Sequence, residues 1–328
     1  MTGLDEAVRR AGPAQVAAPP QRPGALGAVG RTPLVALRRV VPAGSGRVFV
    51  KLEQANPTGS YKDRMALAVI EAAEADGRLA PGTTVLECTA GSTGTALAFV
   101  CAAKGYPLKI VTSDAFAAEK LRSMTALGAE LELLASEGGK VTPDLVPRMI
   151  ARAEELSRLP GYFWSDQFHN PDALAGYEEL GAEVLAQTGG RVDAFCAAVG
   201  TAGMLMGAAR ALRRGAPGCK VVVLEPASSP IISEGRAGRH GVEGISVGIV
   251  PPLLDQGLYD EVRTVDVGEA RSMTRALARD EGLLVGLSTG LNVVAATRLA
   301  RELGEGSVVV TVAVDTGLKY LSGDLFGS

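Results

Sequence analysis

The sequence has few of the residues that build disulfide scaffolds and metal sites. Its four cysteines stand singly in apolar stretches, without Cys-x-x-Cys spacing: Cys88, Cys101, Cys196 and Cys219. That pattern argues against disulfide or thiolate-metal chemistry and predicts buried thiols. With only His169 and His240 present, a histidine-rich metal site or a Ser/His/Asp triad has few ways to form. We expect no metal.

The sequence also lacks long hydrophobic runs and any excess of basic charge. No run of eighteen or more uncharged apolar residues occurs, and arginines and prolines stand near the N-terminus, where a signal peptide needs an apolar segment. The formal net charge is -3, with 33 basic and 36 acidic residues. A whole-molecule field that attracts nucleic acid or anionic membranes is therefore not expected. We expect a cytoplasmic protein.

What the sequence does contain is typical of a globular protein. Of 328 residues, 47% are hydrophobic and 21% charged, which predicts one large or two medium domains. Short β-branched runs, such as residues 221–224 and 308–312, alternate with alanine-rich stretches of helical length. This alternation predicts an α/β fold, with two open α/β domains and mainly parallel sheets.

Two glycine loops follow buried strands, at residues 89–94 and 199–203. Ligands of parallel sheets bind at the carboxyl ends of strands, so both loops could face one cleft. The first loop also suggests dinucleotide binding, because Gly91 and Gly94 follow a strand and Asp114 ends the next one. That alternative lacks the first glycine of G-x-G-x-x-G and leaves the second loop unexplained.

One lysine stands at a predicted helix start. The turn residues 56–59 lead into Ser60, which has capping-box spacing to Asp63, so Lys62 is predicted in the first helical turn. A cation there opposes the positive end of the helix dipole, which favours the neutral and more nucleophilic amine.

The segment around Lys62 resembles the lysine motif of the cysteine synthase and cystathionine β-synthase family, fold type II enzymes that use pyridoxal 5'-phosphate. The resemblance extends over about nine-tenths of the chain, with further similar motifs in the family's order. These motifs are residues 30–35, 89–94, 166–168, 199–203, 244–248, 286–290 and 315–322.

The resemblance implies roles for residues of these motifs. Lys62 would form the Schiff base with the cofactor and move the Cα proton, and Ser288 would hydrogen-bond the pyridine nitrogen. The predicted cofactor-binding residues are Lys62, Ser92, Gly200, Thr201, Ala202, Gly203 and Ser288. The predicted substrate-binding residues are Thr89, Ala90, Gly91, Thr93, Gln167 and Gly244.

The chain departs from the family pattern at three of these places. Ser92 stands where the family usually has an asparagine, Ala90 replaces a common serine, and Met204 replaces a frequent hydroxyl residue. A serine hydroxyl reaches less far than an asparagine amide. These changes predict a specialised member whose donor substrate is not fixed by the resemblance.

The family's chemistry implies β-replacement on a β-substituted L-alanine, such as O-acetylserine or O-phosphoserine, through an aminoacrylate intermediate. The alternatives are β-elimination to a keto acid and ammonia, as in dehydratases or desulfhydrases, and a non-catalytic sensor that binds the cofactor.

The resemblance also predicts the organisation of the chain. Residues 1–28, rich in alanine, proline and glycine, are expected to form a flexible arm. Residues 53–167 would form a smaller domain that carries Lys62, and residues 29–52 with 168–328 would form a larger domain that carries the phosphate loop. Family members are usually homodimers.

Overall fold

The computed structural model describes residues 22–89, 91–140, 142 and 144–327. The strands are β1 (Leu34–Ala36), β2 (Arg47–Leu52), β3 (Thr84–Cys88), β4 (Leu108–Ser113), β5 (Glu130–Leu134), β6 (Tyr162–Trp164), β7 (Ala194–Ala198), β8 (Lys220–Pro226), β9 (Glu261–Val265) and β10 (Val308–Ala313). The helices are α1 (Lys62–Ala75), α2 (Ser92–Lys104), α3 (Ala118–Ala126), α4 (Leu145–Ser157), α5 (Ala173–Thr188), α6 (Gly203–Gly215), α7 (Ile231–Glu234), α8 (Val267–Asp280) and α9 (Leu287–Leu303). Short 3-10 helices are Gly24–Ala28, Glu53–Ala55 and Gly317–Tyr320.

The larger sheet has the strand order β1-β2-β10-β7-β8-β9. Its strands are parallel except for β1, which is antiparallel to β2. Strands β7 and β10 are buried along their whole length, because helices cover both faces. Successive side chains point to opposite faces: Phe195 packs with residues of α1, α5 and α6, whereas Cys196 packs with residues of α8 and α9.

The smaller sheet has the order β5-β4-β3-β6 and is entirely parallel. Val85 and Ile110 on one face join the core cluster that also contains Phe195 of the larger sheet. Leu86 and Val111 on the other face pack against α4. The α/β fold with mainly parallel sheets, predicted from the alternation of strands and helices, is confirmed.

The structure tests two further expectations from the sequence. All four cysteines are buried and free, which confirms the prediction of buried thiols. The flexible arm predicted over residues 1–28 is wrong for Gly24–Ala28, a 3-10 helix whose Leu26 is buried in the core. The remainder of that arm, residues 1–21, lies outside the described residues.

The described residues contain neither a candidate membrane span nor a candidate metal site. No helix among them has both the length and the apolar character needed to cross a membrane. No group of three or more histidine, cysteine, aspartate or glutamate side chains in the same ranges is arranged to hold a metal ion.

The two glycine loops occupy equivalent places in the two sheets. Strand β3 ends at Cys88 and its loop leads to α2, which begins at Ser92; β7 ends at Ala198 and its loop leads to α6, which begins at Gly203. Each loop therefore lies at the carboxyl end of a parallel strand, where backbone N–H groups of a helix start are free to bind a ligand.

Candidate active site

Lys62 is the first residue of α1, so its predicted place in the first helical turn is confirmed. The turn before it needs a glycine: Gly59 has φ +75°, and a Cβ there would lie 2.7 Å from Thr316 Cγ2. The predicted capping box is wrong, because the helix is capped by Tyr61, one residue later than expected. The Asp63 carboxylate accepts the Thr58 backbone N–H at 2.7 Å instead.

The Lys62 ammonium meets two predicted substrate-binding residues. Lys62 Nζ donates to Gln167 Oε1 at 3.2 Å, and Thr93 Oγ1 donates to the same oxygen at 2.7 Å. Burial lowers the pKa of Lys62 to about 8, and the nearby Glu87 carboxylate opposes that shift. The sequence predicted the correct direction from the helix dipole, but burial is the larger cause.

Glu87 is a buried carboxylate that sequence reasoning missed. Its Oε2 accepts the Ser165 hydroxyl at 2.8 Å and the Gln167 backbone N–H at 3.2 Å, and its Oε1 accepts the Cys88 N–H at 2.7 Å. Burial raises the pKa of Glu87 to about 7, despite these hydrogen bonds. Glu87 thus joins the first glycine loop to the segment that carries Gln167.

The second glycine loop borders a small pocket. Residues 198–202 line this pocket together with Tyr61, Met204 and Leu205. A Cβ on Gly200 would lie 2.1 Å from the Gly244 carbonyl oxygen, so the two loops pack too closely for any larger residue. Ala202 has φ +65°, a conformation rare outside glycine and typical of functional loops. Ala202 caps α6, whose 13 residues begin at Gly203.

Tyr61 is a second residue that sequence reasoning missed. It is buried beside the pocket of the second loop, and its ring packs edge-on against that of Tyr177 with centroids 5.5 Å apart. Lys62 Nζ lies 5.3 Å from the centroid of the Tyr61 ring. Tyr61 thus contacts both the predicted phosphate loop and the reactive amine.

The first glycine loop is held by contacts within the site. The Thr89 hydroxyl accepts the Gly91 N–H at 3.2 Å, and Ser92 Oγ accepts a hydrogen bond from Lys319 Nζ at 3.2 Å. Ala90, a predicted substrate-binding residue, lies outside the described residues. Lys319 was not predicted as a site residue.

Ser288 is buried in the first turn of α9 and lines a cavity of about 220 Å³. Lys319, Tyr320 and Glu243 line the same cavity. The site residues therefore lie in two groups on the structure, one around Lys62 and one around Ser288, and Ser92 and Lys319 connect them.

Gly244 follows a segment with two arginines. Arg236 pairs with Glu234 at 2.8 Å, and Arg239 is exposed. His240 orders the loop, since its Nε2 lies 3.2 Å from the Ser246 carbonyl oxygen and its Nδ1 accepts the Val242 N–H at 3.1 Å. From this segment, Gly241 and Glu243 line the cavity.

These features combine an amine of lowered pKa at Lys62 with two glycine loops, one at the start of α2 and one at the start of α6. The model of the family described as "Pyridoxal-phosphate dependent enzyme" matches residues 25–315. The chain belongs to this family, and within it to the cysteine synthase and cystathionine β-synthase group of fold type II enzymes.

Several known proteins are similar to the chain. A cysteine synthase of Staphylococcus aureus is 41% identical over 300 residues, which cover 91% of this chain and 95% of that protein. An O-ureido-L-serine synthase of Streptomyces lavendulae is 39% identical over 303 residues, 92% of this chain and 91% of that protein. The structure of O-acetyl serine sulfhydrylase isoform 3 from Entamoeba histolytica superposes with a TM-score of 0.87 at 35% identity, covering 95% and 94% of the two chains.

The residues present fit pyridoxal phosphate. Residues 199–202 border a small pocket at the start of α6, where backbone N–H groups can bind a phosphate. An amine with a lowered pKa is present at Lys62, and a buried hydroxyl is present at Ser288. The cofactor predicted from the resemblance is thus supported by the family and by the chemistry of the donor set.

Proposed function

We propose that this chain catalyses β-replacement on a β-substituted L-alanine of the O-acetylserine type, with Lys62 as the catalytic base. The observation that carries the proposal is that Lys62 and Thr93 both donate to Gln167 Oε1, at 3.2 Å and 2.7 Å. The names of the similar proteins, two of which are an O-acetyl serine sulfhydrylase and an O-ureido-L-serine synthase, support the same reaction class.

Pyridoxal phosphate, when bound to an amino acid, withdraws electrons from Cα and so makes the Cα proton acidic. The protein supplies the base for that proton. An amine whose pKa is about 8 is partly neutral near pH 7, so Lys62 can accept the proton without first losing one to a distant group. Lys62 is also the residue that would attach the cofactor covalently.

The other predicted cofactor-binding residues would hold and orient the cofactor. We assign the backbone N–H groups of Gly200, Thr201, Ala202 and Gly203 to the cofactor phosphate, and the Ser288 hydroxyl to the pyridine nitrogen. A hydroxyl does not force protonation of that nitrogen, which favours loss of a β-substituent over transamination. Ser92 would contact the cofactor.

The substrate α-carboxylate is assigned to the first glycine loop. Thr89, Gly91 and Thr93 carry the hydroxyl and amide donors, and Gln167 completes the set. Gln167 Oε1 is positioned by Thr93 at 2.7 Å, which leaves the Gln167 amide group to donate to a bound carboxylate. Ala90 and Gly244 complete the proposed substrate-binding set.

The reaction is tested by product analysis with purified holoenzyme. O-acetyl-L-serine and sulfide should give cysteine, and substitution of Lys62 by alanine should abolish turnover. Lys220→Ala is the matched control, because Lys220 is at the amino end of β8 and pairs with Glu261. Formation of pyruvate and ammonia at one rate with and without sulfide would instead indicate β-elimination, a lyase activity.

We propose three further properties of the chain as a whole. The domain boundaries are 53–167 for the smaller domain and 29–52 with 168–328 for the larger, which the placement of the four-stranded sheet between residues 84 and 164 supports. The chain is proposed to act as a cytoplasmic homodimer, as the family resemblance suggests. Light scattering coupled to size-exclusion chromatography should give twice the 33.7 kDa chain mass.

A further inference from the structure

The cavity of about 220 Å³ beside Ser288 is lined by three basic residues, Lys120, Arg271 and Lys319, and by three acidic ones, Glu119, Glu243 and Asp324. Glu119 accepts the Ser322 hydroxyl at 2.6 Å. Two of the basic side chains are neutralised. Lys120 pairs with Glu243, and Arg271 pairs with Asp324 at 3.0 Å. These pairs place one cation on helix α3 and another on helix α8, at the walls of the cavity.

Lys319 is the exception. Within the described part of the chain, no carboxylate oxygen lies within 4.0 Å of its ammonium, and its one hydrogen bond goes to Ser92 Oγ at 3.2 Å. The nearby carboxylates have other donors: Asp315 accepts the Tyr320 hydroxyl at 2.7 Å, and Asp63 accepts the Thr58 N–H. Burial lowers the pKa of Lys319, although Asp315 and Asp63 oppose the shift.

Asp315 and Asp63 act on Lys319 only at longer range, and a partly buried ammonium with no carboxylate in direct contact is stabilised by an anion that enters beside it. The start of α2 adds to this effect. Ser92 is the first residue of that 13-residue helix, so the positive end of the helix dipole lies on the same side as Lys319. The cavity therefore offers a fixed positive charge, a hydroxyl and a helix start to one anionic group.

This place differs from the proposed site of the α-carboxylate. Gln167 and Thr93 hydrogen-bond each other beside Lys62, and neither lines the cavity. Lys319 approaches the glycine loop at Ser92, from the side of Ser288. An anion at Lys319 is thus a second negative charge, in addition to the α-carboxylate.

We propose that this cavity binds a second anionic group of the substrates, a phosphoryl or carboxylate group, and that Lys319 is the residue that selects for it. The inference rests on the proposed β-replacement. The anionic group belongs either to the leaving group of the amino-acid donor or to the nucleophile. In either case it would bind the Lys319 ammonium.

The test compares charged and uncharged substrates in the holoenzyme. O-phospho-L-serine is paired with O-acetyl-L-serine as the donor, and 3-mercaptopropionate is paired with 2-mercaptoethanol as the nucleophile. The variants are Lys319→Met, which removes the charge, Lys319→Arg, which keeps it, and Lys220→Met as the matched control. Thermal unfolding and titration of each apoprotein with pyridoxal phosphate check folding and cofactor affinity.

For at least one pair, the wild type should prefer the charged member, and Lys319→Met should lower its kcat/KM for that member about tenfold or more, mainly through KM. Lys319→Arg and Lys220→Met should keep the preference. The pair that responds identifies which substrate carries the charge.

Three results would overturn the inference. Lys319→Met could lower kcat/KM equally for charged and uncharged members, the wild type could show no preference for either charged member, or the variant could lose affinity for pyridoxal phosphate, which would assign Lys319 to the cofactor. In each case turnover of O-acetyl-L-serine by the wild type shows that the proposed β-replacement still holds. Absence of turnover with every donor and nucleophile would instead mean that the proposed function itself has failed.

Discussion

Lys62 Nζ and Gln167 Oε1 lie 3.2 Å apart although 105 residues separate them in the chain. Lys62 begins α1, which follows β1 and β2 of the larger sheet. Gln167 follows β6, the last strand of the smaller sheet. The contact therefore brings together segments from different parts of the fold, and it sets the position of the amine relative to the glycine loop.

Substitution of Gln167 by leucine should lower kcat/KM by about 10- to 100-fold, because Thr93 and Lys62 both lose their shared acceptor and a bound carboxylate loses a donor. Steady-state kinetics with O-acetyl-L-serine measure the effect. The matched control is Gln54→Leu, since the side-chain oxygen of Gln54 has no hydrogen-bond partner among the described residues. Equal activity of both variants would remove Gln167 from the site.

Alanine at position 200 should weaken cofactor binding. Its Cβ would lie 2.1 Å from the Gly244 carbonyl oxygen, so the loop of residues 199–203 or the Gly244 segment must move. Gly218→Ala introduces the same methyl group where no atom lies within 4 Å, and it should bind like the wild type. Titration of the apoproteins with pyridoxal phosphate, followed by absorbance, compares the two; matching affinities would contradict the assigned phosphate loop.

Replacement of Glu87 by glutamine should change the pH dependence of stability. The folded state raises the pKa of Glu87 from 4.5 to about 7, so folding favours its protonated form. The wild type therefore loses stability as the pH rises through that range, by up to about 3 kcal/mol from this group. Glu87→Gln lacks the titrating carboxyl.

Urea denaturation at pH 5 and pH 8 measures this effect. On going from pH 5 to pH 8, the unfolding free energy of the wild type should fall relative to that of Glu87→Gln. Any constant cost of the substitution cancels in that comparison. An identical pH dependence in the two proteins would show that Glu87 titrates as an ordinary glutamate.

Arg64, two residues after Lys62, is buried and anchors the start of α1. Its guanidinium donates to Glu53 at 2.7 Å and to Glu183 at 2.8 Å. Arg64→Met should lower the unfolding free energy by about 3–5 kcal/mol, because the buried Glu53 carboxylate loses its cationic partner, whereas Glu183 keeps Lys51. The exposed Arg158, 3.8 Å from Glu154, provides the control: Arg158→Met should stay within about 0.5 kcal/mol. Chemical denaturation compares them, and similar losses would contradict the account.

Much of the fold and part of the site could be predicted from the sequence, for physical reasons that differ between residues. The parallel strands were recognisable because burial on both faces gives unbroken apolar runs such as residues 308–312. Lys62 and Gly200 lie in local motifs of turn residues and helix starts. Their neighbours in space could be placed only by the resemblance.

Residues whose role depends on distant contacts were missed. Lys319 meets Ser92 across 227 residues, and nothing in its local sequence indicates that contact. The local sequence of Tyr61 indicates only a helix start and not its contact with Tyr177. Glu87 did carry a signal, since a glutamate in the buried strand Thr84–Cys88 must find hydrogen-bond donors.

The most direct test of the account is to locate the cofactor on the chain. The holoenzyme is reduced with borohydride, which fixes pyridoxal phosphate to the amine that holds it, then digested and analysed by mass spectrometry. The chain has eight lysines, so each candidate can be distinguished by its peptide. The account predicts the added mass on the peptide that contains Lys62; its presence on another lysine, such as Lys51 or Lys319, or on none, would contradict it.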